Sequence, residues 1–332
     1  MKIIISLLPV FIFLALLIYL DSFKLVRIGL ILICIFWGIV SAAIAYFVNT
    51  AIINHVGITF SDYSKYAAPF VEEILKALLI IYLMSKNKVG FMIDAAILGF
   101  AIGSGFGFAE NLFYLMNLTS ENIFLWIVRG FGTGIMHCGT VCIVGIIAMH
   151  FTGKSERNRM VYYLPGLAAA VIIHGLYNGF FISPVLSTLG LIIVLPIVII
   201  IIFQKNENAL RKWLDVELDT EAKLMQSIKY GIFSTTSAGK YILSIRSRFP
   251  KEVVFDIMCF IRLFIELSIK AKGILMMKEY GFPVNKDEDI ESKLSELKFL
   301  RKNIGKTGLL AISPILRMKP KDLWKLNMLQ FK

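Results

Sequence analysis

Eight ionisable side chains lie within otherwise apolar stretches of the N-terminal part of the chain. They are Glu72, Glu73, Lys76, Asp94, Glu110, Arg129, His137 and His174. Ionisable groups are costly inside a bilayer and usually serve a function there. A carboxylate can take a proton from water, and an imidazole can bind a divalent metal or stabilise an anion. The residue types in this set therefore favour hydrolysis, either with a metal ion or without one.

Two acidic residues and a lysine occupy a single apolar segment. Glu72 and Lys76 are four residues apart, so a helix places them on one face and predicts an ion pair between them. Glu73 points about 100° away from Glu72 and is left for another partner. Asp94 and Arg129 lie near the ends of their apolar segments, and we interpret both as interfacial residues.

Two further groups of residues have informative spacing. Glycines recur every four residues up to Gly107, and such a ladder of small residues lets two helices approach closely. Glu110 follows this ladder, so we expect it to lie near a neighbouring helix. His174 and Asn178 share a helix face, where they can stabilise an oxyanion or hold a metal ligand in place.

The elements that must position these residues are membrane-spanning helices. Such a helix needs about 20 mostly apolar residues. Seven segments qualify: 3–20, 26–53, 66–84, 91–116, 124–150, 162–182 and 185–203. The first begins like a signal peptide but lacks a small-residue cleavage site, so we interpret it as a retained helix.

Four of these spans carry their polar residues at a similar depth. A rise of 1.5 Å per residue places Glu72, Glu110, His137 and His174 roughly 10–13 Å from the outer ends of their spans. For His137 this holds if its span effectively begins near Arg129. The alignment predicts one site, assembled by four helices in the outer half of the bilayer.

Composition and charge divide the chain into two parts. Of its 332 residues, 57% are hydrophobic and only 17% are charged, against about 25% charged in soluble domains, which excludes ordinary soluble classes. Residues 204–332 hold 24 basic and 15 acidic residues, and residues 1–203 hold 11 and 8. The sequence predicts an all-α fold: a polytopic transmembrane bundle of about seven spans over 1–203, and a basic, mostly helical cytoplasmic domain over 204–332.

Basic residues in the loops predict the orientation. Lys and Arg concentrate in loops 21–25, 85–90 and 151–161 and after residue 203, whereas the alternate loops are poor in them. The positive-inside rule then predicts an N-terminus outside and a C-terminus in the cytoplasm. The basic tail suits contact with anionic lipid. It carries no nucleic-acid-binding motif, so no nucleic acid is expected as a partner.

Four motifs on successive spans, taken in order, resemble those of the PrsW family of intramembrane proteases, within the CAAX-protease and bacteriocin-processing superfamily. They are EExxK at Glu72, Glu73 and Lys76, FxxxEN at Phe106, Glu110 and Asn111, a His-containing motif at His137, and HxxxD/N at His174 and Asn178. The prenyl protease branch of the superfamily carries Arg in the first motif and FxxxH in the second. Lys76 and Glu110 therefore favour the PrsW branch.

The resemblance implies an intramembrane endopeptidase. Its expected substrate is a membrane-anchored protein, cleaved near the outer side of the bilayer, such as a regulatory protein like an anti-sigma factor. The expected location is a bacterial or archaeal cytoplasmic membrane. Family descriptions call these enzymes metalloproteases, whereas relatives in the superfamily are described as glutamate-dependent proteases. The resemblance therefore allows both a metal-dependent and a metal-free mechanism.

Our hypothesis for the site gives the acidic and basic groups distinct roles. Either Glu72 or Glu73 is the general base for water, and Lys76 neutralises the other carboxylate. Glu110 and His137 orient the water or bind a metal. Asn111, which completes the second motif, belongs to the same predicted site.

The remaining predicted site residues are a histidine and an asparagine. His174 and Asn178 stabilise the oxyanion in this hypothesis. If one divalent metal ion such as zinc is bound, its ligands come from Glu73, Glu110, His137 and His174. The alternative is a metal-free enzyme.

Two other classes of protein fit the polar set. A transporter or proton-coupled channel would use the glutamates and histidines as a relay, and it predicts internal repeats. No second copy of any motif occurs in the sequence. A non-catalytic scaffold or receptor would signal through its tail, and its polar set would be replaceable without loss of function.

Overall fold

The computed structural model describes residues 1–21, 23, 26–152, 160–179, 181–284, 287, 289–316 and 320–329. Within these ranges the regular structure is entirely helical, which confirms the predicted all-α fold. Four of the loop cations used to predict the orientation, Lys24, Lys154, Arg157 and Arg159, lie outside the described residues.

In the described part of the chain, nine α-helices lie between the N-terminus and Lys229. They are α1 (Lys2–Leu20), α2 (Ile28–Val56), α3 (Phe60–Tyr66), α4 (Ala68–Ser85), α5 (Met92–Asn117), α6 (Ile123–Ile127), α7 (Gly134–Thr152), α8 (Leu164–Asn178) and α9 (Pro184–Lys229). A π-helical turn, Val128–Thr133, joins α6 to α7, and a 3-10 turn, Met160–Tyr162, precedes α8. The chain forms two compact units, Met1–Asn206 and Glu207–Lys332.

Six helical segments of the described chain are long and apolar enough to cross a membrane. They are Lys2–Leu20, Ile28–Val56, Met92–Asn117, Ile123–Thr152, Met160–Asn178 and Pro184–Lys229. The predicted span 66–84 corresponds to α4, which is not among the six. This helix is only 18 residues long and carries three charged residues, Glu72, Glu73 and Lys76. The structure is therefore in rough agreement with the predicted count of about seven.

Close approach of backbones places α5 between two neighbours. A Cβ added at Gly103 would lie 2.4 Å from the Cα of Cys138 on α7. One added at Gly105 would lie 2.0 Å from the carbonyl oxygen of Ile35 on α2. Only glycine permits both contacts, so the glycine ladder packs α5 against α7 as expected. This packing carries Glu110 to the side chains of α7.

The predicted third span is interrupted near its start. Thr59 caps α3 by accepting a hydrogen bond from the backbone nitrogen of Asp62. The chain then begins a new helix at Ala68, with Pro69 in its first turn, where the missing N–H of proline costs nothing. The first acidic residues of the site consequently lie one turn from the start of α4.

The second unit is a helical domain with its own apolar core. It contains the C-terminal half of α9 and four more helices, α10 (Ser237–Ile245), α11 (Lys251–Glu279), α12 (Asp289–Ile312) and α13 (Pro320–Leu329). Residues of α11 and α12 such as Ile261, Leu294 and Leu300 form much of the core.

Charged residues are also buried in the second unit. Lys272 of α11 lies 2.9 Å from Glu221 on α9, and Lys325 of α13 lies 3.1 Å from the same carboxyl group. Ser268 donates a hydrogen bond to Glu221 as well. Burial lowers the pKa of Lys272, and the neighbouring charge of Lys325 lowers it further. Ion pairs thus join α9, α11 and α13 within this unit.

Candidate active site

A buried lysine joins two of the predicted motifs. The Nζ of Lys76 on α4 lies 2.6 Å from Oε1 of Glu73 and 2.9 Å from Nδ1 of His137 on α7. The same ammonium lies 4.2 Å from the ring centre of Phe106. A buried charge is stabilised only when it is paired and hydrogen-bonded, and these contacts supply both.

The two histidines lie side by side and each contacts a carboxylate. Nδ1 of His174 lies 2.7 Å from Oε1 of Glu73, and Nε2 of His137 lies 2.8 Å from Oε2 of Glu110. The centres of the two imidazole rings are 4.9 Å apart. Residues from α4, α5, α7 and α8 therefore meet in one cluster, as their similar depth along the spans predicts.

The predicted ion pair between Glu72 and Lys76 is wrong. Lys76 pairs instead with Glu73, three residues away, and neither side chain of this pair is exposed. Glu72 lies on the accessible side of α4, with 15% of its side chain exposed. The ammonium of Lys76 pairs with Glu73 because Glu73 has no access to water. Leaving this buried carboxylate unpaired would cost more free energy than leaving the partly hydrated Glu72 unpaired.

Glu72 has a different set of partners. Asn49 of α2 donates a hydrogen bond from Nδ2 to Oε1 of Glu72, at 3.2 Å. Tyr63 of α3 in turn donates from its hydroxyl to Oδ1 of Asn49, at 2.8 Å. Sequence reasoning missed both residues. Asn49 could have been noticed as an amide within a long apolar segment.

Asn111 contacts backbone and a cation rather than the histidines. Its Nδ2 donates to the carbonyl oxygens of Ser6, at 2.9 Å, and Arg129, at 3.1 Å. Its Oδ1 accepts a hydrogen bond from Nε of Arg129. Asn111 therefore fixes the π-helical turn on which Arg129 lies. Asn111 was predicted as a site residue, and its contacts are those of a residue that positions Arg129.

Arg129 belongs to the cluster, although we had interpreted it as an interfacial residue. Its Nη2 lies 3.3 Å from Oε1 of Glu110, and its guanidinium carbon lies 3.6 Å from the ring centre of Tyr114. Asp94 lies elsewhere, where its carboxylate accepts hydrogen bonds from the backbone nitrogens of Gly90 and Phe91 at the start of α5.

Asn178 lies one turn beyond His174 and links two helices. Its Nδ2 donates a hydrogen bond to the carbonyl oxygen of Ser64 on α3, at 3.0 Å. This contact holds the end of α8 against α3. The role predicted for Asn178 at an oxyanion stays a prediction.

The cluster has a buried side and an accessible side. Glu73, Lys76, His137 and His174 have at most 2% of their side chains exposed. Glu110 is 27% exposed, Glu72 15% and Arg129 13%.

Three side chains have the chemistry and the spacing of a metal site. Glu72, His137 and His174 each offer a ligand atom, and these atoms lie within 4.8 Å of one another. Two histidines and one glutamate form a known ligand set for catalytic zinc. The set differs from the sequence-based one in containing Glu72 and in lacking both Glu73 and Glu110. Oε1 of Glu73 contacts Lys76 and His174 instead.

The partners of each imidazole show how it would bind a metal. His174 donates from Nδ1 to Glu73, and its Nε2 lies 3.8 Å from Oε2 of Glu72. In the neutral ring that a metal requires, this Nε2 would carry the lone pair. A carboxylate on the far nitrogen is the usual support of a metal-binding histidine. Binding through Nε2 of His137 would replace the proton shared with Glu110, and metal ligands generally lose a proton in this way. The three residues fit a divalent metal.

Helices able to cross a membrane and a buried cluster of carboxylates and imidazoles are the features expected of an intramembrane hydrolase. The model of the PrsW family of intramembrane metalloproteases matches residues 27–202. The chain belongs to this family, and it is an integral membrane protease. No curated protein and no solved structure gives a significant match.

Proposed function

We propose that the protein hydrolyses a peptide bond of a membrane-anchored protein near the outer side of the bilayer. Glu72 lies one turn from the start of α4, and His174 lies one turn from the end of α8. The positive-inside rule assigns both of these helix ends to the outer side. A substrate segment that enters from this side would reach the accessible carboxylates first.

The proposed chemistry uses the two exposed carboxylates differently. Glu72, His137 and His174 would hold one divalent metal, such as zinc, which supplies Lewis acidity and an acidic bound water. Glu110 lies beside this triad and is the more exposed carboxylate, so it takes the proton from the attacking water. The sequence-based hypothesis had given the role of base to Glu72 or Glu73, and that assignment remains the metal-free alternative.

The buried residues support the reacting groups. Lys76 neutralises Glu73, and the same carboxylate oxygen accepts a hydrogen bond from Nδ1 of His174 and fixes the orientation of its ring. The same ammonium donates to His137 and holds its ring toward Glu110. These contacts place the imidazoles without access to bulk water.

The proposed setting follows the charge distribution. Residues 1–203 form the catalytic membrane domain, and residues 204–332 form a basic cytoplasmic domain that contacts anionic lipid. The N-terminus lies outside a bacterial or archaeal cytoplasmic membrane. A regulatory protein with one membrane anchor, such as an anti-sigma factor, would present a suitable outer segment.

The observation that carries the proposal is the meeting of two buried histidines, His137 and His174, with two partly exposed carboxylates, Glu72 and Glu110. The test is co-expression with a library of single-span membrane proteins, followed by detection of fragments cut on the outer side. Wild type should produce such fragments, and Glu110→Gln and His174→Ala should not. His150→Ala, which changes an exposed histidine at the end of α7, is the control and should cleave normally. Full cleavage by both site variants would contradict the proposal.

A further inference from the structure

The hydrogen-bond donors on the buried side of the cluster are already engaged. Lys76 donates to Glu73 and to Nδ1 of His137. The neutral ring of His137 therefore carries its proton on Nε2, which faces Glu110. His174 donates from Nδ1 to Glu73, so its neutral, metal-binding form would have no proton on Nε2. These groups therefore offer no free hydrogen bond to an oxyanion, and a donor that acts beside the proposed metal must come from another residue.

Arg129, with 13% of its side chain exposed, offers such a donor beside Glu110. Its Nη2 is buried and makes no hydrogen bond with any residue that the structure describes, although Oε1 of Glu110 lies 3.3 Å away as an ion-pair partner. A buried N–H group without a hydrogen bond is rare in folded proteins and requires an explanation. A substrate atom beside Glu110 would supply the acceptor.

The surroundings of Arg129 fix the direction of its side chain. The residue lies in the π-helical turn before α7, and such turns occur frequently at functional sites. Asn111 binds both its Nε and its carbonyl oxygen, and the ring of Tyr114 stacks on its guanidinium. A donor that is held in place before the reaction stabilises a developing charge without a cost of reorganisation.

We propose that Arg129 is a further catalytic residue, whose Nη2 donates a hydrogen bond to the oxyanion of the tetrahedral intermediate. This proposal rests on the proposed function, because the oxyanion forms only if the protein hydrolyses an amide.

The proton and electron balance leaves Arg129 unchanged. The oxygen of water attacks the carbonyl carbon, the carbonyl π electrons move to its oxygen, and one water proton goes to Glu110. The carbonyl then reforms as the C–N bond breaks, and the leaving nitrogen takes the proton from Glu110. The carboxylic acid product loses its proton to solvent. Arg129 stays protonated and serves only as a hydrogen-bond donor.

The test uses the full-length protein in liposomes, with a substrate found by the co-expression experiment. For Arg129→Gln, kcat should fall by about 100-fold to 1,000-fold with KM little changed, as for loss of one oxyanion donor. Arg129→Lys should still lose about tenfold in kcat, because a single ammonium nitrogen cannot occupy the two separate positions of Nε and Nη2. Lys65→Gln removes a partly exposed cation from α3 and should match wild type.

The outcomes distinguish failure of the role of Arg129 from failure of the proposed protease function. Wild-type kcat in a folded Arg129→Gln variant would overturn it. If that variant fails to fold, Arg129→Lys decides, since wild-type kcat there would show that any cation beside Glu110 suffices. A loss confined to KM would also overturn the proposal. A wild-type protein that cleaves no membrane protein would contradict the proposed function itself.

Discussion

Lys76 is the residue on which the buried half of the site depends. It neutralises Glu73 and donates to His137, and no part of its side chain is exposed. Its replacement leaves a carboxylate in an apolar interior without its cation. Such a loss is strongly destabilising, whereas removal of an exposed cation is not.

We predict that Lys76→Met abolishes cleavage and destabilises the protein by about 3–5 kcal/mol, the usual cost of an unpaired buried charge. Thermal unfolding in detergent measures the change in stability. Lys86→Met, at the exposed end of α4, is the matched control and should unfold like wild type. An unchanged unfolding temperature for Lys76→Met would show that the buried pair is unimportant.

The hydroxyl of Tyr63 acts on the site through Asn49. Tyr63→Phe removes the hydrogen bond that orients this amide toward Glu72, and loss of such a supporting contact typically costs about 10-fold to 100-fold in activity or metal affinity. Cleavage rates and bound metal are the two measurements. Tyr66→Phe, an exposed tyrosine on the same helix, should change neither. Equal activity of the two variants would refute the role of the Tyr63–Asn49 chain.

At the scale of elements, the site depends on how closely α5 and α7 pack. These helices carry Glu110 and His137, and glycine at position 103 allows their backbones to meet. The π-helical turn then rotates Arg129 toward Glu110, and Asn111 binds the carbonyl oxygen of that arginine. The position of each reacting group thus follows from a small residue or a turn nearby.

Gly103→Ala adds only one methyl group, but we expect it to disrupt the site strongly. The new Cβ would lie 2.4 Å from Cα of Cys138, so α5 and α7 must separate, and we expect lower stability and little cleavage. Gly190→Ala on α9 has open space around it and gives the same gain in helix propensity. Thermal unfolding and cleavage of both variants decide, and equal behaviour would contradict the packing argument.

At the scale of the whole molecule, the sequence predicts the fold better than the contacts within the site. Span length and apolar composition are local properties, so the helices and the similar depth of Glu110, His137 and His174 could be predicted. The partner of Lys76 could not, because it depends on which side of α4 is buried by other helices. The contact of Arg129 with Glu110 depends on the π-helical turn, and the residues of this turn show no periodic pattern that would predict it.

The orientation in the membrane is a prediction for the molecule as a whole. Reporter fusions should place the C-terminus in the cytoplasm and the N-terminus outside, because the basic residues then face inward. A fluorescent protein at the C-terminus and a protease-sensitive tag at the N-terminus measure the two ends separately. A C-terminus found outside would place the carboxylate face on the opposite side and would contradict outer-side cleavage.

The central claim is that Glu72, His137 and His174 hold a divalent metal while Glu110 takes the proton from water. The most direct test measures bound metal and cleavage together in purified wild type, Glu110→Gln and His174→Ala. We predict one metal ion per chain in wild type and in Glu110→Gln, a large loss of metal in His174→Ala, and no cleavage by either variant. Cleavage by wild type that contains no metal, or full activity of Glu110→Gln, would contradict the account.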